Sequence, residues 1–170
     1  MNLFKKTLFA AGAVITLLSL FACSANQPTP DATAAIADFD PPAGYTSEFS
    51  TSMLGYSVVA YKGQYGPSHL FLIQSEKEAD GDELAKMLAQ LVPGSSSADT
   101  RMTVIENRPV IVRGQETTLI VSEGVNSENV SYRQISVAFE GKGGPALLLF
   151  SESVDAWDQE AVDSFLQSIR

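Results

Sequence analysis

Residues 130–151, VSYRQISVAFEGKGGPALLLFS, contain two strand-like segments on either side of a glycine-rich turn. In the first segment, apolar Ile135, Val137 and Phe139 alternate with smaller or polar residues, which is the period of a half-buried strand. The second segment is 145–151, and its residues 147–150 are apolar on both faces, which favours a place in the centre of a sheet. The connection is too short for a parallel crossover, so the sequence predicts an antiparallel hairpin.

Further strand-like segments precede this hairpin, and turns rich in glycine, proline or asparagine separate them. We place one such turn at Asn107-Arg108. The predicted strands are 44–50, 53–61, 69–74, 101–106, 109–113 and 115–123. Because the connections are short, the sequence predicts a mainly antiparallel sheet of about six to eight strands.

Two segments have apolar residues at helical spacing. Within residues 80–91 the apolar side chains recur on one helix face, at Leu84, Met87, Leu88 and Leu91. Asp80 followed by Glu83 fits a capping box at the start of this helix. The second helix, about 155–169, comes last in the chain. One inserted and one C-terminal helix that cover a sheet predict an α+β domain.

The first residues of the chain have the features of a bacterial lipoprotein signal peptide. Lys5 and Lys6 precede an apolar stretch, 8–20, that is shorter than the roughly 20 residues a bilayer span needs. The stretch ends in Leu-Phe-Ala-Cys, which resembles the motif at which such signal peptides are cut. We therefore expect residues 1–22 to be removed and Cys23, the only cysteine, to carry the lipid.

Lipidation would anchor the protein to a membrane through Cys23, because two or three acyl chains hold a protein firmly on a bilayer. Ser24 stands where many Gram-negative lipoproteins carry the aspartate that retains them at the inner membrane. We therefore expect the outer membrane in a Gram-negative host, and the outer face of the cell membrane in a host with one membrane. The alternative is an ordinary secretory signal that is cut near Ala22 or Ala25, with the cysteine incidental.

Residues 23–43 predict a flexible, partly extended tether, since they contain four prolines and no periodic apolar face. Phe39 is the first residue that we expect to dock onto the folded part. The remaining residues, 44–170, are long enough to bury a core without disulfides or a metal, and they predict one domain.

The charge of the chain excludes several kinds of partner. It has 20 acidic and 11 basic residues, a formal net charge of −9, and loss of Lys5 and Lys6 makes the mature chain more acidic. Such a surface repels nucleic acids and anionic lipid headgroups. With one cysteine, the chain cannot form an internal disulfide or a thiolate metal cluster.

The sequence contains few residues that favour catalysis. His69 is the only histidine and follows Ser68, so it is the best candidate for an envelope hydrolase. The nucleophile motif Gly-x-Ser-x-Gly is absent, however, and a structural or surface role for His69 is favoured. The acidic segment 76–83 is a candidate cation site, but it lacks the ligand spacing of an EF-hand and helix capping accounts for part of it. We predict no catalytic residues, no metal site and no cofactor.

Two aromatic residues are candidates for contact with a partner. Tyr61 and Tyr65 flank a glycine-rich turn, and exposed aromatic side chains at such positions often anchor an interface.

The order of these elements resembles a known superfamily. Pro42-Ala43-Gly44-Tyr45 leads into a hairpin, a helix follows the third strand, and Val112-Arg113-Gly114-Gln115 joins two later strands. The chain ends in a helix over Phe165-Leu166-Gln167-Ser168-Ile169-Arg170. Across residues 42–170 this resembles the PsbP-like superfamily, which includes bacterial lipoproteins of the LpqN and DcrB groups. The strand–glycine–strand step is also similar to domains attached to some anti-sigma factors.

The resemblance implies an antiparallel sheet flanked by helices, and an accessory or binding role instead of catalysis. The resemblance assigns no catalytic or binding residues to this chain. We therefore expect a non-enzymatic lipoprotein of the cell envelope that binds a protein partner or a small ligand near the membrane. The alternatives are an envelope hydrolase that uses His69 and a cation-binding protein that uses residues 76–83.

Overall fold

A computed structural model describes residues 30–64, 68–92, 102–125 and 129–170. The predicted signal peptide, Cys23, Ser24 and Tyr65 lie outside these residues.

The described residues form one sheet of seven antiparallel strands and three helices. The strands are β1 (Tyr45–Met53), β2 (Tyr56–Gly63), β3 (His69–Ser75), β4 (Thr103–Val112), β5 (Gln115–Val125), β6 (Ser131–Glu140) and β7 (Pro145–Ser153). The helices are α1 (Pro30–Ala34), α2 (Gly81–Leu91) and α3 (Gln159–Ser168). The α+β fold with an inserted and a C-terminal helix is thereby confirmed.

Strand β7 lies in the middle of the sheet, whose order is β1-β2-β3-β7-β6-β5-β4. Its side chains alternate between two cores: Leu147 and Leu149 pack with α2, while Leu148 and Phe150 pack with α3. This is why the strand is apolar on both faces, and the central place predicted for residues 145–151 is confirmed.

The helices begin where their capping residues place them. The Asp80 carboxylate accepts from the Glu83 N–H at 2.8 Å, and Glu83 Oε2 accepts from the Asp80 N–H at 3.3 Å, which is the predicted capping box. The last helix begins at Gln159 instead of near 155, because Asp158 caps it and a short 3-10 turn, Val154–Ala156, comes first.

The turn predicted at Asn107-Arg108 is wrong. Strand β4 runs through both residues, which pair with Ile120 and Leu119 of β5. Arg108 is held from both sides, by Glu106 at 2.7 Å and by Asp163 of α3. Polar side chains in this stretch therefore mark an ion-paired part of a strand.

The folded domain begins earlier than residue 44. Ile36 and Ala37 are fully buried, and the backbones of Asp38 and Arg170 exchange two hydrogen bonds of 2.9 and 2.8 Å. The ring of Phe39 docks as predicted, with its centroid 5.6 Å from that of Phe165. The described part of the predicted tether is thus a packed segment, and its short apolar stretch is too brief to show a period in the sequence. No described helix has the length and apolar character that crossing a membrane requires.

Truncation of Ile36 tests whether this segment belongs to the core. We expect Ile36→Ala to lower the free energy of unfolding by about 2–4 kcal/mol, because it leaves a cavity in a packed site. Ile111→Ala is the matched control, since Ile111 is 56% exposed and we expect a change below about 0.5 kcal/mol. Urea denaturation measures both, and equal small losses would show that the segment is a loose tether.

A second prediction concerns the effect of the Asp38 carboxylate on stability at different pH values. A hydrogen bond from Lys142, whose Nζ lies 2.7 Å from Oδ2, lowers the pKa of Asp38 below its ordinary value of 3.8. Asp38 therefore contributes stability above that pH, and the contribution disappears as the pH falls through the lowered pKa of the folded state.

We expect Asp38→Asn to be less stable than the parent chain at about pH 7 and to approach it at about pH 2. Urea denaturation at the two pH values measures this difference. Lys142→Met should reduce the pH dependence of the difference, since Lys142 is the largest cause of the lowered pKa, and a deficit that persists undiminished in acid would contradict the ion pair.

Candidate binding surface

Exposed apolar side chains gather at one corner of the described sheet. Four apolar side chains are well exposed here: Val104 (59%), Ile105 (49%), Val125 (46%) and Val130 (37%). The first two lie in β4, Val125 ends β5, and Val130 directly precedes β6. We call these four residues the apolar corner. Single exposed apolar residues are normal on a protein surface, whereas a group of them marks a site of interaction.

Ile105 and Val125 of the apolar corner line an open groove of about 610 Å³. Its walls come from β4, β5, the start of β6 and the 3-10 turn, and the lining residues are Thr103, Ile105, Glu123, Gly124, Val125, Ser131 and Val154. The groove is therefore built mainly on strands, which hold side chains in place better than loops do.

A bulge in β4 explains why Ile105 lines this groove. Val104 pairs with Ser122, but Glu106 pairs with Val121, so β4 has one extra residue between them. A bulge turns a side chain away from the regular alternation of a strand. Gly124 of β5 also lines the groove and contributes no side chain to it.

Charged side chains stiffen the adjoining wall. Arg133 Nε donates to Glu123 Oε1 at 2.8 Å, and its guanidinium lies 5.1 Å from the centre of the Trp157 ring. An arginine held by a carboxylate and an aromatic ring has few alternative rotamers. The groove wall is consequently preorganised before any partner arrives.

The backbone edge of β4 is protected against pairing with another strand. Pro109 lacks an N–H group, Glu106 and Arg108 place charges along the edge, and the bulge interrupts its regularity. The side-chain groove is therefore the part of this corner suited to contact a partner.

The two tyrosines predicted to contact a partner differ in outcome. Tyr61 is only 7% exposed, so the expectation of an exposed anchor is wrong for it. Its hydroxyl is 2.8 Å from that of Thr33, and the Phe39 ring packs against it, because the N-terminal segment covers this part of the sheet. Tyr65 lies outside the described residues, and its role stays a prediction.

His69 and Ser68 each approach a carboxylate. The Nε2 atom of His69 is 3.9 Å from Oε2 of Glu48, and its ring stacks on Phe71 with centroids 5.5 Å apart. The hydroxyl of Ser68 donates to Glu152. These contacts fit the structural or surface role that the sequence analysis favours for His69.

The acidic segment 76–83 serves α2 through Asp80 and Glu83. Within the described ranges, no group of three or more histidine, cysteine, aspartate or glutamate residues is arranged to hold a metal ion.

The apolar corner was missed by the sequence analysis. Val104 and Ile105 are consecutive, which is normal in a strand covered on both faces, and a bulge leaves no mark in the pattern of apolar residues. The predicted strand 115–123 stops before Gly124, although this glycine lies in β5.

The fold is similar to that of a known structure. The solution structure of cyanobacterial PsbP (CyanoP) from Synechocystis sp. PCC 6803 superposes with a TM-score of 0.52 and 15% sequence identity. The match covers 96% of this chain and 98% of that one. No protein-family model matches the sequence, and no curated protein matches it. At 15% identity the likeness concerns the fold, and it confirms that the fold is PsbP-like.

Proposed function

We propose that this chain is a non-enzymatic lipoprotein of the cell envelope whose domain binds a protein partner at the apolar corner. The observation that carries the proposal is the pair of exposed apolar side chains, Ile105 and Val125, that line one groove. Burial of these side chains by a partner would release the water that now covers them, which is the main favourable term in protein association.

The charge of the chain indicates the chemistry of the partner. A formal net charge of −9 favours a basic partner, because complementary charge speeds encounter and disfavours wrong partners. Asp155 is exposed beside Val154 of the groove and is suited to meet a basic side chain at the rim. The partner segment therefore carries apolar side chains for the groove and basic residues beside them.

The PsbP-like fold supports an accessory role, since the similar cyanobacterial structure is named as PsbP, and we place the chain with the lipoproteins of the LpqN and DcrB type. In this proposal Cys23 carries the lipid and the protein stands at the outer membrane, or at the outer face of a single membrane. The packed segment that begins near Pro30 leaves a short stretch from Cys23 to the domain. The corner would then meet partners close to the bilayer.

Photo-crosslinking tests the surface. We expect a photoreactive amino acid at Ile105 to crosslink a basic envelope protein in the native host. The same amino acid at Leu54, which is 78% exposed in the turn between β1 and β2, should give no such product. Val125→Glu should weaken the Ile105 crosslink by about tenfold, because it puts a charge into the apolar contact. Equal products from both positions, or indifference to Val125→Glu, would exclude the corner as the docking site.

Intact-mass analysis and membrane fractionation test the anchor separately. We expect a mature species that starts at residue 23 and carries added diacylglyceryl mass. Cys23→Ser should release the protein from the membrane, since the domain keeps no other lipid contact in the proposal. An unlipidated product cut elsewhere would refute the anchor and leave the docking surface to its own test.

A further inference from the structure

A second and more enclosed cavity of about 270 Å³ lies between the start of β1, the end of β7 and the start of α3. Apolar and aromatic side chains form much of its wall, and two carboxylates border it. The residues that matter here are Pro42, Tyr45, Phe150, Glu152, Asp158 and Val162. Pockets with a mostly apolar wall and a few polar groups are typical binding sites for small molecules.

Glu152 is half-buried and receives only neutral hydrogen bonds. Oε2 accepts from the Tyr45 hydroxyl at 2.8 Å, and Oε1 accepts from the Ser68 hydroxyl and from the N–H of Ser153 at 3.2 Å. No cationic side chain among the described residues forms an ion pair with it. Arg133 is opposite Glu152 on β6, but its guanidinium is engaged elsewhere.

This arrangement differs from that of the other half-buried carboxylates in the same part of the molecule. Glu123 is paired with Arg133, and Asp163 is paired with Arg108. A carboxylate removed from water is normally paired with a cation. Glu152 is therefore open to pairing with a cation from outside the described chain.

The remaining groups of the cavity favour an organic cation. Burial, and then the Glu152 carboxylate, raise the pKa of Tyr45, so its hydroxyl stays protonated and keeps donating to Glu152. The Tyr45 and Phe150 rings have centroids 5.3 Å apart and give an aromatic wall. Asp158 uses Oδ1 to cap α3 and has a second oxygen available to a ligand.

We propose that this cavity binds a small alkylammonium ion. Its N–H groups would donate to Glu152 and Asp158, and its carbon chain would lie against Val162 and the two rings. Proton transfer is not involved, since the amine binds in the charged form that it has at neutral pH. The same chemistry is offered by a free amine and by a lysine side chain of a protein.

Calorimetric and NMR titrations of the full chain in detergent micelles test the proposal, with n-butylammonium chloride as the probe and 1-butanol as its neutral counterpart. We expect saturable shifts of the amides of Tyr45, Ser153 and Ala161 with the amine, and an affinity about tenfold lower for the alcohol. Equal affinities for the amine and the alcohol would show that the cavity does not recognise the positive charge, and this would overturn the proposal. The absence of saturable shifts would overturn it as well.

Variants assign the binding to the cavity. Glu152→Gln keeps an acceptor for Tyr45 and removes the charge, so we expect it to lower the affinity for n-butylammonium about tenfold. Glu160→Gln, an exposed residue of α3 that does not line the cavity, is the matched control and should bind like the parent. Ala161→Met fills the cavity and keeps both carboxylates, so it should also lose binding even if Glu152→Gln does not fold. Full binding by Ala161→Met overturns the proposal.

A lysine-containing peptide distinguishes the two sources of the ligand. Tighter binding by n-butylammonium than by the peptide confirms a site for a free amine. Tighter binding by the peptide assigns the site to a protein side chain and overturns the small-molecule form of the proposal. Binding of n-butylammonium leaves the apolar corner untouched, so the test is independent of the proposed docking function.

Discussion

The burial of β7 on both faces is the constraint on which the rest of the structure depends. Leu147, Leu148, Leu149 and Phe150 alternate between two cores, and neighbouring strands occupy both edges. A strand of this kind is stable only if each face of the sheet has its own cover. Helix α2 covers one face, and α3 with the packed N-terminal segment covers the other.

The same constraint explains which features were predictable from the sequence. An uninterrupted apolar run, a capping box at Asp80 and a helical stripe through Leu88 are local patterns, and each predicts its element correctly. The burial of Ile36 is a tertiary effect, because a few residues acquire their place only against α3 and the turn at Lys142. The prolines and the lack of a periodic apolar face predicted a tether over residues 23–43.

The candidate binding surfaces were less predictable because they depend on interruptions of regular structure. The groove at the apolar corner depends on a bulge at Ile105 and on Gly124 in its wall, and neither changes the apolar period of the sequence. The second cavity needs Tyr45, Glu152 and Asp158 to meet from three separate parts of the chain. The exposure predicted for Tyr61 was wrong because a segment distant in sequence covers its side chain.

Both surfaces lie at the end of the sheet where β7 leaves for α3, opposite the end where the turn between β6 and β7 holds the N-terminal segment. The packed N-terminal segment contacts both ends, since Asp38 pairs with Lys142 at one end and Pro42 lines the second cavity at the other.

Hydrogen exchange tests whether a partner covers the apolar corner in the envelope. It is measured on the full chain in native envelope membranes and on the purified protein. Strand β7 supplies an internal reference, because its amides exchange only when the core opens. We expect slower exchange in membranes at residues 103–106 and 123–125, with unchanged exchange in β7. Identical exchange at the apolar corner in both preparations would contradict a partner at this surface.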